Sequence, residues 1–295
     1  MKIAVASGKG GTGKTTVACS FALSLAAEPM VGSASSTPPL FLDCDVEAPN
    51  AHLFLNPDFQ MQQDAIILIP QVDETRCTYC RRCAQVCQYN AIAVLGQSVL
   101  IFPELCHGCG SCTRQCPEKA IREVPLRIGL LQAGPARGGI HFARGVLEVG
   151  HPMPAPVTRQ LKSWAAPQAD QLVLIDAPPG TSCPVVEAIR GADFLLLVTE
   201  PTPCGLHDLR LSLELAHALG LPAAVVINRD GIGDSRVEEF CRRQAIPVLL
   251  RIPFSKEAAY GIARGMTLID IQPQLTSAFR GVYRRILQIM EPTKA

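Results

Sequence analysis

The sequence has no long apolar run, few aromatics and almost no net charge, and each shortage removes a class of function. No stretch approaches the ~20 consecutive apolar residues that a membrane-spanning helix needs. Aromatic residues are 5% of the chain, with 10 Phe, 4 Tyr and 1 Trp, which leaves few flat side chains for stacking single-stranded bases. Lys and Arg number 27 against 26 Asp and Glu, a formal charge of +1. A nucleic-acid binder carries a basic surplus, so nucleic acid is not an expected partner. Charged residues are 18% of the chain, below the ~25% of an average globular protein. Met1 to Ala6 leads directly into a Gly-rich loop, without the apolar core and cleavage site of a secretory signal. The expectation is a cytoplasmic protein whose thiols stay reduced.

What the chain does have is apolar core, repeated strand–helix alternation and cysteine. Its 295 residues suggest about two domains, and a hydrophobic content of 48% excludes global disorder. Short apolar runs at 2–6, 40–43, 66–69, 172–175, 194–198, 223–227 and 248–252 predict strands, and 14–27, 206–219, 235–244 and 255–264 predict helices. Residues 28–39, rich in Pro, Gly and Ser, predict a loop. Apolar strands interleaved with helices predict an α/β fold with a mainly parallel sheet covered on both faces. The stretch 132–160, with five Gly and four Pro, predicts no regular element. Residues 275–290 place Leu275, Phe279, Val282, Tyr283, Ile286, Leu287 and Met290 on one helical face. That face suits a terminal helix docked on the core; Arg280, Arg284 and Arg285 keep a transient membrane-surface helix as an alternative.

Gly8-Lys9-Gly10-Gly11-Thr12-Gly13-Lys14-Thr15, followed by Thr16, satisfies G-x-x-x-x-G-K-[ST] between a strand and a helix. Its glycines let backbone N–H groups curl around phosphate oxygens, and the helix start adds its positive dipole end. Lys14 is expected to reach the β- and γ-phosphates, and the Thr15 hydroxyl to ligate Mg²⁺. Asp176 ends a run of four apolar residues, as a Walker B carboxylate holding Mg²⁺ does. Asp43 and Asp45 end the second strand, where the carboxyl edge of a parallel sheet presents groups to a ligand.

Eight of the thirteen cysteines lie between residues 77 and 116. Cys77, Cys80, Cys83 and Cys87 form C-x₂-C-x₂-C-x₃-C, and Cys106, Cys109, Cys112 and Cys116 repeat it 29 residues later. Ala91-Ile92 and Ala120-Ile121 follow at matching offsets. This is the pattern of bacterial ferredoxins with two [4Fe–4S] clusters, in which the fourth Cys of each run completes the other cube. The expected ligand sets are therefore Cys77, Cys80, Cys83 and Cys116 for one cluster, and Cys87, Cys106, Cys109 and Cys112 for the other. Two four-Cys zinc sites are the alternative, although zinc uses paired C-x₂-C knuckles rather than a third Cys two residues on. Gln88 stands where the second run has Pro117. Cys19 and Cys241 lie in helical patterns as small core residues. Cys44, Cys183 and Cys204 flank the nucleotide segments without a C-x-x-C.

The K-G-G-x-G-K-T-T loop, Asp43-Cys44-Asp45-Val46-Glu47-Ala48-Pro49-Asn50, Asp176-Ala177-Pro178-Pro179-Gly180 and Thr199-Glu200-Pro201 together resemble the MinD/ParA/Mrp-like P-loop ATPases with a deviant Walker A motif, here carrying an inserted two-cluster ferredoxin domain. The resemblance implies an ATPase body over residues 1–71 and 126–295 and a ferredoxin insert over 72–125. It implies ATP-dependent dimerisation, as a homodimer or with a related ATPase, with Lys9 reaching the partner's nucleotide. It further implies that Asp45 orients the attacking water, that Asp43 lies near Mg²⁺, that the Gly180 N–H senses the γ-phosphate and that Asn228 bonds the base. The function expected is a slow, partner-stimulated ATPase, with ATP/ADP, Mg²⁺ and two [4Fe–4S] clusters, that couples nucleotide state to electron transfer with an unidentified redox protein. The alternatives are an Mrp-type cluster carrier, and a redox-sensing positioning ATPase.

Overall fold

The computed structural model describes residues 1–26 and 37–291. Most of the loop expected at 28–39 lies outside these residues. Eleven strands are present among them: β1 (Lys2–Ala6), β2 (Leu40–Asp43), β3 (Met61–Val72), β4 (Ile92–Leu95), β5 (Ser98–Ile101), β6 (Ile121–Pro135), β7 (His141–Leu147), β8 (Val173–Asp176), β9 (Phe194–Thr199), β10 (Ala223–Asp230) and β11 (Val248–Pro253). Nine form one sheet in the order β11-β10-β9-β1-β8-β2-β7-β6-β3, and β4 and β5 form a separate hairpin. The seven strands from β11 to β7 are mutually parallel, and β6 runs antiparallel to both β7 and β3.

The parallel strands are apolar throughout because helices cover both faces. Along β1, Ala4 and Ala6 face one core while Ile3 and Val5 face the other, as a period of two requires. The first core is closed by helices α5 (Pro154–Trp164), α6 (Cys183–Ile189), α7 (Pro203–Ala218) and α8 (Arg236–Arg243). The second is closed by α1 (Lys14–Ala26), α2 (His52–Leu55), α9 (Lys256–Ile262), α10 (Leu268–Ile271) and α11 (Leu275–Met290). Helix α1 is buried around nearly its whole circumference, sandwiched between the sheet and α11, with the Phe21 and Phe279 rings 6.1 Å apart. Leu275, Phe279, Val282 and Ile286 are buried in this contact. The apolar face of α11 is therefore spent on the core and is not free for a membrane surface. No helix among the described residues is long and apolar enough to cross a membrane.

The segment 132–160 is regular, contrary to expectation: it contains the end of β6, all of β7 and the start of α5. Its glycines mark close packing rather than loop. A Cβ on Gly145 would come within 2.8 Å of Val46 and 3.0 Å of Val157, so glycine lets α5 sit directly on the strand. Pro154 opens α5 at a position where its missing N–H costs nothing.

The strand expected at 66–69 belongs to the much longer β3. Residues 61–65 of β3 pair with the stretch of β6 that also pairs with β7. Beyond a bulge between Ala65 and Ile66, residues 66–72 pair with 121–127 alone. These two strands project past the end of β7 as a ribbon. Between its strands, residues 73–120 hold the eight clustered cysteines, the β4–β5 hairpin and two short helices, α3 (Arg82–Val86) and α4 (Ser111–Arg114). Gln160 of α5 braces the bulge: its Oε1 accepts from the Ile66 N–H at 3.0 Å, and its Nε2 donates to the Ile66 carbonyl at 2.9 Å.

Candidate functional site

The loop between β1 and α1 lies at the carboxyl edge of the sheet. Gly11 and Gly13 adopt φ of 81° and 86°, conformations that glycine enters without steric cost. At Gly13 a Cβ would also overlap the Asn228 amide, which donates to the Thr12 carbonyl at 2.7 Å. Asn228 therefore braces the loop from the end of β10. At Gly8 a Cβ would overlap the Asp208 carbonyl of α7. Thr16 is buried, and its carbonyl accepts the Ser20 hydroxyl at 2.6 Å.

Lys14, Asp43 and Asp176 meet in a buried cluster. The Lys14 Nζ donates to Asp176 Oδ1 at 2.5 Å and lies 3.4 Å from Thr15 Oγ1. Asp43 and Asp176 are register neighbours at the ends of β2 and β8, and neither is exposed to solvent. Burial, with the nearby Asp176, pushes the Asp43 carboxyl up to about 7 against the pull of Lys14 and the Ala51 N–H. Burial opposes the Lys14 ammonium, but Asp176, Asp45 and Asp43 outweigh it and hold its pKa above the ordinary lysine value. Asp45 is half-buried, and burial raises its carboxyl although Lys14 attracts it. Two buried oxygens here have no hydrogen-bond partner, Asp176 Oδ2 and Thr12 Oγ1. Leaving such atoms unsatisfied costs ~1–3 kcal/mol each, so the cluster is short of a ligand that brings donors or a cation.

Lys9 is engaged within its own chain, in an ion pair with Glu200 Oε1, and Arg229 Nη1 pairs with Glu200 Oε2 at 3.1 Å. Burial raises the Glu200 carboxyl, but Lys9 and Arg229 together hold it below the ordinary value. Glu200 lies in one of the segments that carry the family resemblance, whereas nothing in the sequence marks Arg229 as its partner. The Gly180 N–H donates to the Ser7 carbonyl at 2.9 Å, which ties the segment after β8 to the phosphate loop.

The clustered cysteines sort into two hollows. Cys77, Cys80, Cys83 and Cys116 line one, and Cys87, Cys106, Cys109 and Cys112 line the other. Each fourth cysteine thus crosses to the opposite set. The two halves share one backbone: φ is positive at Tyr79, Arg81 and Asn90 (54°, 64°, 53°) and, 29 residues on, at Gly108, Gly110 and Lys119 (63°, 71°, 50°). Left-handed backbone costs a non-glycine residue ~1–2 kcal/mol, so Tyr79 and Arg81 carry a strain that Gly108 and Gly110 avoid, while Asn90 and Lys119 are both non-glycine. The Ala91 N–H donates to Cys87 Sγ and the Ala120 N–H to Cys116 Sγ, both at 3.3 Å. Burial raises the thiols of Cys83, Cys106 and Cys112, whereas the Ser111 hydroxyl and N–H lower that of Cys109. Among the described residues, no group of three or more His, Cys, Asp or Glu side chains is drawn close enough to hold a metal ion.

Comparison with known proteins places these features in context. The family model for the CobQ/CobB/MinD/ParA nucleotide binding domain matches residues 3–269. An uncharacterized protein of Methanocaldococcus jannaschii is 28% identical over 292 residues, 98% of each chain. An iron–sulfur cluster carrier protein of the same organism is 23% identical over 138 residues, 41% of this chain and 48% of that protein. Among solved structures, the septum site-determining protein MinD from Pyrococcus horikoshii, complexed with Mg-ADP, has a TM-score of 0.55 at 18% identity, over 98% of this chain and 97% of that one. A ParA family ATPase from Chlorobium tepidum has a TM-score of 0.55 at 15% identity, over 97% and 98%.

Proposed function

From the premise that the chain belongs to the CobQ/CobB/MinD/ParA nucleotide-binding family, we propose that it is an ATPase whose nucleotide state closes a dimer and so governs one-electron transfer between an inserted iron–sulfur module and a redox partner. The dimer is a homodimer or a pairing with a related ATPase. The chain divides at 1–71, 72–125 and 126–295 in this reading.

The observation that carries it is the sorting of eight cysteines into two quartets that exchange their fourth member. Zinc uses paired C-x₂-C knuckles, whereas each run here adds a third Cys two residues on. The repeated left-handed backbone and the amides aimed at Cys87 and Cys116 suit two equivalent polynuclear groups. Each bound [4Fe–4S] cluster would accept and release one electron.

At the other site the residues act in sequence. The ATP phosphates draw Lys14 away from Asp176. Asp176, with its unpartnered Oδ2, and Thr15 would hold Mg²⁺, with Asp43 beside them. Asp45 orients the attacking water. Gly180 exchanges the Ser7 carbonyl for the γ-phosphate, and Lys9 leaves Glu200 for the partner's nucleotide. A chain of contacts supports coupling to the insert. The segment of Gly180 leads into α6, whose Glu187 is held by Arg159 at 3.0 Å. Arg159 lies on α5, whose Gln160 grips the root of the ribbon.

The test is anaerobic purification followed by iron analysis, ATP turnover and stopped-flow reduction by dithionite. The expected result is about eight iron per chain and a reduction rate that changes with ATP. Asp45→Asn should bind ATP without hydrolysing it. A folded, colourless, iron-free protein refutes the proposal. The likeness to an iron–sulfur cluster carrier favours a second reading, cluster delivery, which activation of an apo-aconitase by the loaded protein would support.

A further inference from the structure

The internal repeat provides its own control on charge. Positions 29 apart occupy equivalent places in the two hollows, yet their side chains differ. Arg81, Arg82, Val94 and Glu118 line the hollow of Cys77. Their counterparts Gly110, Ser111, Glu123 and Tyr89 line the hollow of Cys106. The first set sums to a charge of +1 and the second to −1.

Glu123 is the most directly placed of these. A Cβ built on Gly110 would lie 2.9 Å from Glu123 Oε1, so the carboxylate rests on the backbone between Cys109 and Cys112. The absence of a side chain at Gly110 is what admits it. Arg114 Nε lies 4.0 Å from the same Cβ position, but among the described residues Glu123 forms no ion pair. Its negative charge reaches the Cys106 and Cys109 thiols. At the equivalent place in the other hollow stands Val94, which carries no charge.

We infer that Glu123 makes the two hollows electrically unequal, disfavouring a reducing electron in the set of Cys87, Cys106, Cys109 and Cys112 and so placing it first in the set of Cys77, Cys80, Cys83 and Cys116. The inference rests on the iron–sulfur loading proposed above. Adding an electron to an anionic centre costs more beside a fixed negative charge and less beside Arg81 and Arg82, by Coulomb's law. One electron passes from the Glu123 side to the Arg81 side, with no bond or proton moved. The module thereby has a direction: the Glu123 side is the stronger donor, and the Arg81 side is where a single electron rests. Glu123 is exposed, so water and salt weaken its effect.

The experiment is an anaerobic redox titration of the loaded protein with dithionite, followed by EPR, beside iron counts for every variant. The native protein should reduce in two resolved one-electron steps. Glu123→Gln should move the harder step toward easier reduction by three- to tenfold in its equilibrium constant, up to about 59 mV, and leave the easier step in place. Val94→Glu should make the easier step harder, and Arg81→Gln with Arg82→Gln should do the same. These two variants decide the matter should Glu123→Gln fail to load. A loaded Glu123→Gln with unchanged steps, or with a shift confined to the easier step, overturns the inference and leaves the iron–sulfur reading standing. A native protein without iron removes both.

Discussion

Lys14→Ala should unfold the α/β body far more readily than loss of one lysine from a surface loop would. Lys14 and Asp176 form a pair whose side chains are 7% and 0% exposed, so solvent screening barely weakens it. Asp43 lies beside Asp176, equally buried. Removing the ammonium leaves two adjacent buried carboxyl groups with no cation in contact. Breaking a buried pair from one side costs ~3–5 kcal/mol, because the remaining charge keeps its desolvation penalty. The single Trp reports on this body: Trp164 closes α5 and packs against the first core. Urea unfolding of the nucleotide-free protein, followed by Trp164 fluorescence, should show that loss. The double variant Lys14→Ala, Asp176→Asn should recover most of it, since the stranded charge is gone. A loss below about 1 kcal/mol in the single variant, or no recovery in the double, would show that the pair is not the buried charge balance described above.

Gly13→Ala should weaken ATP binding more than tenfold by equilibrium dialysis, because its φ of 86° and the Asn228 amide leave no room for a methyl group. Glu200→Gln should lower the protein concentration at which ATP produces dimers, seen by sedimentation velocity. Lys9 is 31% exposed in its pair with Glu200, so the gain is a few-fold, in keeping with ~0.2–1 kcal/mol for such pairs; fewer dimers would refute the release of Lys9. Asp270 accepts from Arg137 and from the Thr267 N–H and hydroxyl, with Arg137 foremost in holding its carboxyl far below the ordinary range. A depressed carboxylate stabilises the fold above its unfolded pKa of ~3.9 and loses that contribution as pH falls through the folded value. Asp270→Asn should therefore be less stable at pH 7, with a deficit that shrinks once the pH drops below about 4; a deficit independent of pH would assign the loss to packing.

The sequence was most legible where chemistry is local. The phosphate loop, the strand-ending Asp43 and Asp176, and the two cysteine runs each depend on residues a few positions apart. Contacts between distant segments were not legible. The Lys14–Asp176 bond spans 162 residues and the Lys9–Glu200 pair 191, and no periodicity encodes either. The role of Asn228 as a brace also needed the fold, because an amide at a strand end has many partners open to it. In 132–160, glycine and proline imitated a loop. Gly145 is there to let α5 approach, a purpose visible only once Val157 lies against it. The length of β3 was hidden for a related reason. Met61 to Asp64 are exposed and mostly polar, so only its backbone pairing to β6 marks them as strand.

The overhanging stretch of β3 and β6 behaves as a cantilever. Residues 66–72 against 121–127 give it a reach of ~24 Å at ~3.4 Å per residue. At its root Gln160 grips Ile66, and Ile67, Ile69 and Leu126 pack against the first core. A tilt of roughly 5° at that clamp carries the far end through roughly 2 Å over the same reach. Small adjustments of α5 against the sheet are thereby magnified where the cysteines sit.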